Sequence, residues 1–399
     1  MKILISHRFI WPDNANCGQL VWEIAKHFQS EGHEVDILSS LPSRNISSEK
    51  LNKKKFQIIS KIKIRRMNLP IETNKPLQRI YNAIKIGLMV LLSTSKKKYD
   101  IILMTSVPPI LGGLFAALSS KLFKIKFIYF CMDLYPEVGK FSKDFNNFFF
   151  YKLLSVIENW SCKQANSIIV HSKDMKRTLL NRLEGKKYNI ELINNFSVSS
   201  SLEFKSFNRK FNLSKKKLNI IFIGNHGRFQ ELEKVIRAMS VIKKRKDIQL
   251  YMIGDGIKKK RLIYLAEKLK ANVKFFPYLP VDVLKKIMKK ADIGLVTLRP
   301  NMYKYAYPGK LMTYLECGVP IISNIDKKSE FIKNMKLFNY GFHVSIKNIK
   351  NLSDKLVYLS DNFSWKRKMQ KNARNAYKRC FSQKIILYKW SKILNKNNL

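Results

Sequence analysis

Leu218-Asn-Ile-Ile-Phe-Ile-Gly-Asn-His-Gly-Arg228 is the stretch on which the architecture of this chain turns. A strand-forming apolar run, Leu218–Ile223, ends in Gly224 and Gly227, and a helical pattern follows over Glu231–Ser240. The same grammar continues downstream with strand Gln249–Ile253, helix Lys258–Leu269, strand Val273–Phe276 and helix Val281–Lys289. Strand Ile293–Thr297, helix Gly309–Cys317 and strand Pro320–Ser323 complete the series. Strands that alternate with helices predict a parallel α/β sheet, and glycines at strand ends predict ligand-approaching turns of a Rossmann-like unit.

Upstream, the alternation is repeated. Strands are expected at Lys2–Ser6, His33–Ser39, Lys61–Met67, Asp100–Ser106, Lys126–Cys131 and Ala165–His171. Helices are expected at Gly18–Glu31, Gln78–Ser93 and Leu111–Leu122, with another around Glu158 and Trp160. The polar stretch Ser197–Lys217, weak in apolar periodicity, reads as a connection between two such units. A basic helical tail runs from Trp365 to Leu394, and no short-period repeat marks a solenoid.

A chain of 399 residues, 46% of them hydrophobic, suits two domains of roughly 150–200 residues, each able to bury its own core. The five cysteines are odd in number and widely spaced, which disfavours a disulfide scaffold and fits a reducing cytosol. The opening MKILISHRFIW breaks at Pro12 and Asp13, short of a signal-peptide core. No run reaches the roughly 18–20 apolar residues of a spanning helix; Ile84–Leu92, interrupted by Lys85, is at most interfacial. The net charge of +48 favours polyanionic partners, although lysine spread along the whole chain also suits a plain solvated surface.

Five segments can carry chemistry. Ile223-Gly-Asn-His-Gly-Arg228 lets backbone approach a ligand while Arg228 and the following helix favour phosphate; an ordinary turn is the alternative. Gly254-Asp255-Gly256 sits at another strand end and is open to the same two readings. Pro308–Pro320 opens a helix with Pro308, Gly309 and Lys310. A lysine opposes the helix dipole at that end, so a bound anion explains Lys310 better than helix stability does.

The fourth segment, Cys131–Glu137, brings two carboxylates to a strand end. Asp133 or Glu137 can orient or deprotonate a hydroxyl, or the pair can serve a helix as cap and first-turn residue. The fifth, the loop after the first strand, holds His7, Arg8, Trp11, Asp13 and Asn14 before Gly18. His7 is either an acid/base group or a structural histidine, and Gly18 at a helix start can offer its backbone to a phosphate. The sequence lacks HExxH, GxSxG, Walker A and EF-hand patterns, and no acidic DxD pair follows a strand, which points to chemistry without a metal.

Taken in order, RFIWPDNANCGQL, TSVPP, MDLYPE, IENWSCKQANSIIVHS, IGNHGR, IGDG, NVKFFPYLP, ADIGLVTLRP and YPGKLMTYLECGVPII resemble the family-4 retaining glycosyltransferases. The similarity is to the bacterial surface-polysaccharide branch that includes fucosamine transferases of O-antigen synthesis. It implies a GT-B architecture, two Rossmann-like domains facing each other across a cleft. Residues 1–197 would form the acceptor-binding domain and 205–364 the donor-binding domain, with a helix at about 365–395 crossing back to the first. The resemblance implies transfer from a nucleoside diphosphate sugar, a UDP-sugar first among them, with retention and without metal or other cofactor.

The resemblance further implies that Arg228 and Lys310 neutralise the donor diphosphate, with Asp133 beside them in catalysis. Gly18, Gly224, Asn225, Gly254, Asp255, Phe276, Tyr278, Leu311 and Thr313 would complete the donor site. His7, Trp11, Asp133 and Glu137 would meet the acceptor. Two departures stand out. Many family members carry two glutamates eight residues apart where this chain has Tyr305 and Thr313, and the usual cleft histidine is replaced by Met132. The expected setting is the cytoplasmic face of the inner membrane, with a lipid-linked or glycan acceptor and an anionic lipid surface as partners, and no specific nucleic acid. A non-catalytic scaffold, or an epimerase or phosphorylase on the same fold, is the competing expectation.

Overall fold

The structure is a computed structural model that describes residues 1–13, 16–43, 54–70, 72, 76–142, 147–184, 188–198, 213–214 and 216–398. Asn14 and most of the connection expected at 197–217 lie outside the described residues. The chain divides into two compact units. The first comprises Met1–Asn194, Tyr305–Tyr307 and Ile386–Leu399, and the second Asn195–Lys304 and Pro308–Ile385.

The first unit opens with β1 (Lys2–Ser6), α1 (Asn16–Ser30), β2 (Glu34–Ser40), β3 (Phe56–Ile59) and β4 (Ile62–Met67). It continues with α2 (Pro76–Lys96), β5 (Ile101–Thr105), α3 (Leu111–Phe123), β6 (Lys126–Phe130) and α4 (Glu137–Ser142). Then come α5 (Phe148–Gln164), β7 (Ser167–Val170), α6 (Lys173–Arg182) and β8 (Ile190–Leu192). The sheet order is β3-β4-β2-β1-β5-β6-β7-β8, parallel except for the β3–β4 hairpin. That hairpin corrects the expected strand start at Lys61. Ser60 and Lys61 both have positive φ, the geometry of a tight two-residue turn, so the strand begins one residue later.

Central strands such as β5 (IILMT) are buried at every position, as a sheet covered on both faces requires. The chain steps outward from β1 to β2 on one side and then returns to β5 on the other. This reversal is the switch point of the sheet, where open α/β folds bind ligands at strand carboxyl ends.

The second unit contains β9 (Leu218–Ile223), α7 (Leu232–Val241), β10 (Ile248–Ile253), α8 (Lys259–Lys268) and β11 (Val273–Phe276). It adds α9 (Val281–Met288), β12 (Ile293–Val296), α10 (Lys310–Glu316), β13 (Ile321–Ser323), α11 (Glu330–Phe338), β14 (Gly341–His343) and α12 (Ile349–Asp361). All neighbours in the order β11-β10-β9-β12-β13-β14 are parallel, with the switch point between β9 and β12. Phe222, Val235, Ile236, Leu250, Met252 and Leu356 are among the wholly buried core side chains.

The tail is not one helix. α13 (Trp365–Ala376) ends in a π-helical turn at Tyr377–Phe381, Ser382 is extended, and α14 (Gln383–Asn398) starts afresh. The expected single helix over 365–395 is therefore corrected, because only Ile386–Leu399 groups with the first unit. There Trp390 is buried edge-on to Phe28 and Phe130, at 6.2 and 5.0 Å between ring centroids. Burying an aromatic ring such as Phe28 contributes about 1.5–3 kcal/mol, which holds α14 in place. α13 stays with the second unit, where Ala373 and Ala376 are buried and Arg374 lies against Gly318.

Candidate functional site

At the carboxyl end of β9 the backbone is shaped by glycine. Gly224 has φ 109°, and its N–H donates to the Ile253 carbonyl at 3.0 Å. Gly254, at the end of β10, has φ 142°, and a Cβ there would stand 2.0 Å from the Gly224 carbonyl oxygen. No other residue fits, and the two turns are thereby brought into direct contact. His226 N–H donates to the Asp255 carbonyl at 2.8 Å, and the Lys259 ammonium donates to the Gly254 and Phe276 carbonyls at 2.8 and 3.2 Å. The ends of β9, β10 and β11 are thus one hydrogen-bonded platform.

Lys310 stands over this platform at the start of α10. Its Nζ lies 3.7 Å above the centre of the Phe222 ring and 3.2 Å from Gln230 Oε1. No carboxylate pairs with it among the described residues, and burial pulls its pKa from the ordinary 10.5 down to about 7. An ammonium that has lost water and gained only a ring and an amide oxygen is an open invitation to an anion. His226, wholly buried beside Phe222 and Phe275, is held near pKa 4 by burial and then by Lys259 and Lys310, so it is neutral at pH 7. Neither of its ring nitrogens has a hydrogen-bond partner among the described residues. The sequence pattern places His226 in the glycine turn but assigns it no role, and neither Lys259 nor the ring of Phe222 stands out from that pattern.

The other residues expected to meet the donor fall into two groups. Asn225, Arg228 and Asp255 are exposed at the platform rim, and Phe276 and Tyr278 are half-buried at the end of β11. Leu311, by contrast, is completely buried and its N–H donates to the Pro308 carbonyl at 3.1 Å, so its side chain belongs to the core and not to a ligand surface. Thr313 Oγ1 lies 3.5 Å from Ser197 Oγ. Glu316 is ion-paired to Lys285 at 2.7 Å. The helix expected over Gly309–Cys317 is shorter, Lys310–Glu316, with Gly309 as its cap.

The first unit's switch point has a different character. The loops after β1 and β5 are joined where Arg8 N–H donates to the Val107 carbonyl at 3.1 Å. His7 is wholly buried with Nδ1 2.7 Å from Thr105 Oγ1. Arg8 is buried and ion-paired to Glu72. Trp11 stacks on Trp22 at 6.1 Å, and its carbonyl accepts from Arg66 at 2.8 Å. Asp13 accepts the Ser43 N–H at 2.9 Å. Gly18 is a packing glycine: a Cβ there would lie 2.3 Å from the Phe9 carbonyl oxygen, so α1 can pass close to this loop.

After β6, the Ser106 hydroxyl accepts the N–H groups of Met132 and Asp133 at 3.1 and 3.3 Å. Asp133 forms an isolated antiparallel bridge with Ala306, and the Leu134 N–H donates to the Tyr305 carbonyl at 2.8 Å. Burial raises the Asp133 carboxyl to about pKa 6. Such a group exchanges a proton near neutrality. Glu137 sits in the first turn of α4, ion-paired to Arg182 at 2.9 Å.

Behind this loop the fold gathers Cys131, Glu158 and Cys162, all buried, with ligand atoms within 4.8 Å of one another. Tyr129 donates to Glu158 at 2.9 Å and Arg182 lies 3.7 Å from Cys162 Sγ. Burial lifts Glu158 to about pKa 7. The spacing of Cys131 and Cys162 along the chain gave no hint of this polar cluster.

Two Rossmann-like units, one with a switch point lined by glycine and by an ammonium that has no carboxylate partner among the described residues, define a GT-B type protein. Residues 18–196 match the glycosyltransferase family 4 domain, and residues 203–376 match the glycosyl transferases group 1 domain. The chain therefore carries a family-4 glycosyltransferase domain followed by a group 1 glycosyltransferase domain. It is 25% identical over 257 residues to a probable glycosyltransferase, WbjE, of Pseudomonas aeruginosa, a match covering 60% of this chain and 61% of that protein. The chain thus aligns with about three fifths of the length of that curated relative. Anabaena Alr3699/HepE in complex with UDP-glucose superposes with a TM-score of 0.70 at 14% identity, covering 99% of this chain and 100% of the other. WaaG, a glycosyltransferase involved in lipopolysaccharide biosynthesis, superposes at 0.68 with 14% identity, covering 94% and 95%. At these identities the superpositions establish the fold.

Proposed function

We propose that the protein transfers a sugar, with retention, from a UDP-sugar to a lipid-linked or glycan acceptor of a cell-surface polysaccharide, at the inner face of the cytoplasmic membrane. The observation that carries this reading is Lys310, a desolvated ammonium without a carboxylate partner among the described residues, set above a glycine-built platform at a switch point. The departing diphosphate supplies the missing negative charge. Lys310, with Arg228 at the rim, stabilises it as the sugar C1–O bond breaks and the electron pair leaves with the phosphate oxygen. Gly224, Asn225, Gly254 and Asp255 offer close backbone approach, and Phe276 and Tyr278 border the base. Asp133 takes the proton of the acceptor hydroxyl as the new C1–O bond forms, a role suited to a carboxyl held at about pKa 6.

The fold shared with a protein captured with UDP-glucose, and with one involved in lipopolysaccharide biosynthesis, supports the donor and the setting. Charge neutralisation by two side chains needs no metal ion. Thr313 and Tyr305, in place of the paired glutamates, leave the diphosphate contacts to carry more of the catalysis.

The test is thermal stabilisation by UDP, GDP, dTDP and their sugar conjugates, followed by sugar transfer with the best donor. At 100 times its dissociation constant a ligand stabilises the fold by about 2.7 kcal/mol. Stabilisation by uridine nucleotides alone, abolished in Lys310→Ala, is expected. Stabilisation without turnover of the donor would make the protein a binding scaffold, and none with any nucleotide would overturn the reading.

A further inference from the structure

Helix α2 is apolar on two opposite sides. Ala83, Ile86 and Val90 are buried toward the sheet. Leu77, Tyr81, Ile84, Leu88 and Leu92 are all exposed, Leu77 to 80%. Their spacing of three or four residues lines them up as one stripe along the outer side of the helix. Helix α5 repeats the arrangement, with Phe149 80% exposed and Leu153 and Val156 following at the same spacing, while Leu154 and Cys162 are buried. Between these helices lies α3, which ends in exposed Leu122 and Phe123. Phe115 of α3 packs on Gly87 of α2, and the right-handed β4–α2–β5, β5–α3–β6 and β6–α5–β7 crossovers put all three helices on one side of the sheet.

Charge says what covers this layer. α2, α3 and α5 contain one carboxylate between them, Glu158, which is buried and bonded to Tyr129. The exposed charges on the same helices are all positive: Arg79, Lys96, Lys121, Lys152 and Lys163. A second copy of the chain would set these cations against each other in a protein of net charge +48. Exposed apolar side chains on helices whose own exposed charges are all lysine and arginine match a bilayer whose surface is anionic and whose next layer is hydrocarbon. No helix among the described residues is long and apolar enough to cross a membrane, so the contact is superficial.

We infer that the outer face of α2, α3 and α5 docks on an anionic phospholipid bilayer, with the apolar stripes at the acyl boundary and the basic rim on lipid phosphates. This face deepens the membrane part of the proposed function and rests on that reading for its purpose, which is access to a lipid-linked acceptor. The docking itself needs no sugar nucleotide.

The full chain is floated with phosphatidylglycerol–phosphatidylcholine vesicles and with phosphatidylcholine alone, in moderate salt and at about 1 M salt, where the Debye length is about 3 Å. The triple variant Leu77→Gln, Leu88→Gln, Phe149→Gln keeps the net charge and alters only exposed positions. Leu337→Gln, at a position 77% exposed in the second unit, is the control. The parent and the control are expected to bind the anionic vesicles and to stay partly bound at high salt, and the triple variant to lose about tenfold or more in partitioning. Equal binding by triple variant and parent would overturn the inference, since charge alone would then explain it. So would full release of the parent by salt, no binding by the parent, or a parental dimer that the triple variant dissolves. Unchanged melting and nucleotide stabilisation in the triple variant verify its fold; loss of nucleotide binding in the parent would sink the transferase reading and leave the docking result standing.

Discussion

The two switch points of this protein are built on the same topology and filled in opposite ways. In the second unit, glycine turns leave the sheet end bare and place one uncompensated ammonium over it. In the first unit, nearly every polar side chain at the sheet end is already engaged: His7 with Thr105, Arg8 with Glu72, Asp13 with Ser43, Glu137 with Arg182. Asp133 differs from these in being a carboxyl raised to about pKa 6 by burial. A bare cationic end suits a charged, tightly held group. A rigid end with one adjustable acid suits a neutral hydroxyl whose proton must move.

The comparison breaks most visibly at Asp133. Asp133→Asn keeps the shape of the first unit but removes the proposed proton acceptor, so kcat should fall by about 10²–10⁴ while nucleotide binding is unchanged. The parent's kcat should also decline as pH drops through about 6, a limb absent from the variant's residual activity. Unaltered turnover in Asp133→Asn would leave the first unit without chemistry.

Lys310→Ala tests the other end. Removing one partner of a buried charge pair costs about 2–5 kcal/mol, so nucleotide affinity should fall by roughly 30- to 5,000-fold. The unliganded variant should melt no lower than the parent, because a poorly solvated charge has been removed. The sign of the pH effect follows from the lowered pKa. The unfolded chain holds more protons on this lysine between about pH 7 and 10.5, so its contribution to apo stability rises across that window. A bound diphosphate favours the charged form, so binding takes up a proton and affinity weakens as pH climbs above 7. Calorimetry in buffers of different ionisation enthalpy measures that uptake directly.

Much of this contrast was legible in the sequence, and the limit is physical. The strand–glycine–helix pattern of Leu218–Arg228 and the lysine at a helix start are local signals, and local signals located the platform. Whether a side chain is buried depends on what the fold brings against it from far away. Leu311 follows Lys310 directly yet turns into the core, and Glu137 is claimed by Arg182, 45 residues on. The short strands β3, β8 and β14 are three or four residues each, too brief for period-two alternation to register. The break at Ser382 was hidden because lysine-rich helix formers continue on both sides of it.

The glycine platform sets a third expectation. Gly254→Ala forces a methyl group to within 2.0 Å of the Gly224 carbonyl at a φ that L-residues rarely adopt, so the second unit should lose about 2–4 kcal/mol. Gly32→Ala, also at positive φ but with nothing within 4 Å, isolates the backbone cost at about 1 kcal/mol. Denaturant midpoints that move equally for the two would mean that the β9 and β10 turns are not in contact.

Arg228 gives the smallest effect and the sharpest use of salt. It lies exposed on the turn after Gly227, where water and counterions screen its field, whereas Lys310 is shielded above the Phe222 ring. Arg228→Ala should therefore weaken nucleotide binding only about two- to fivefold. That difference should vanish as ionic strength rises and the Debye length shrinks below about 8 Å. The Lys310→Ala deficit should persist through the same titration, because a desolvated pair is little screened. If both deficits fade together, Lys310 meets its anion in water, and the contrast between a shielded cation and a rim cation disappears.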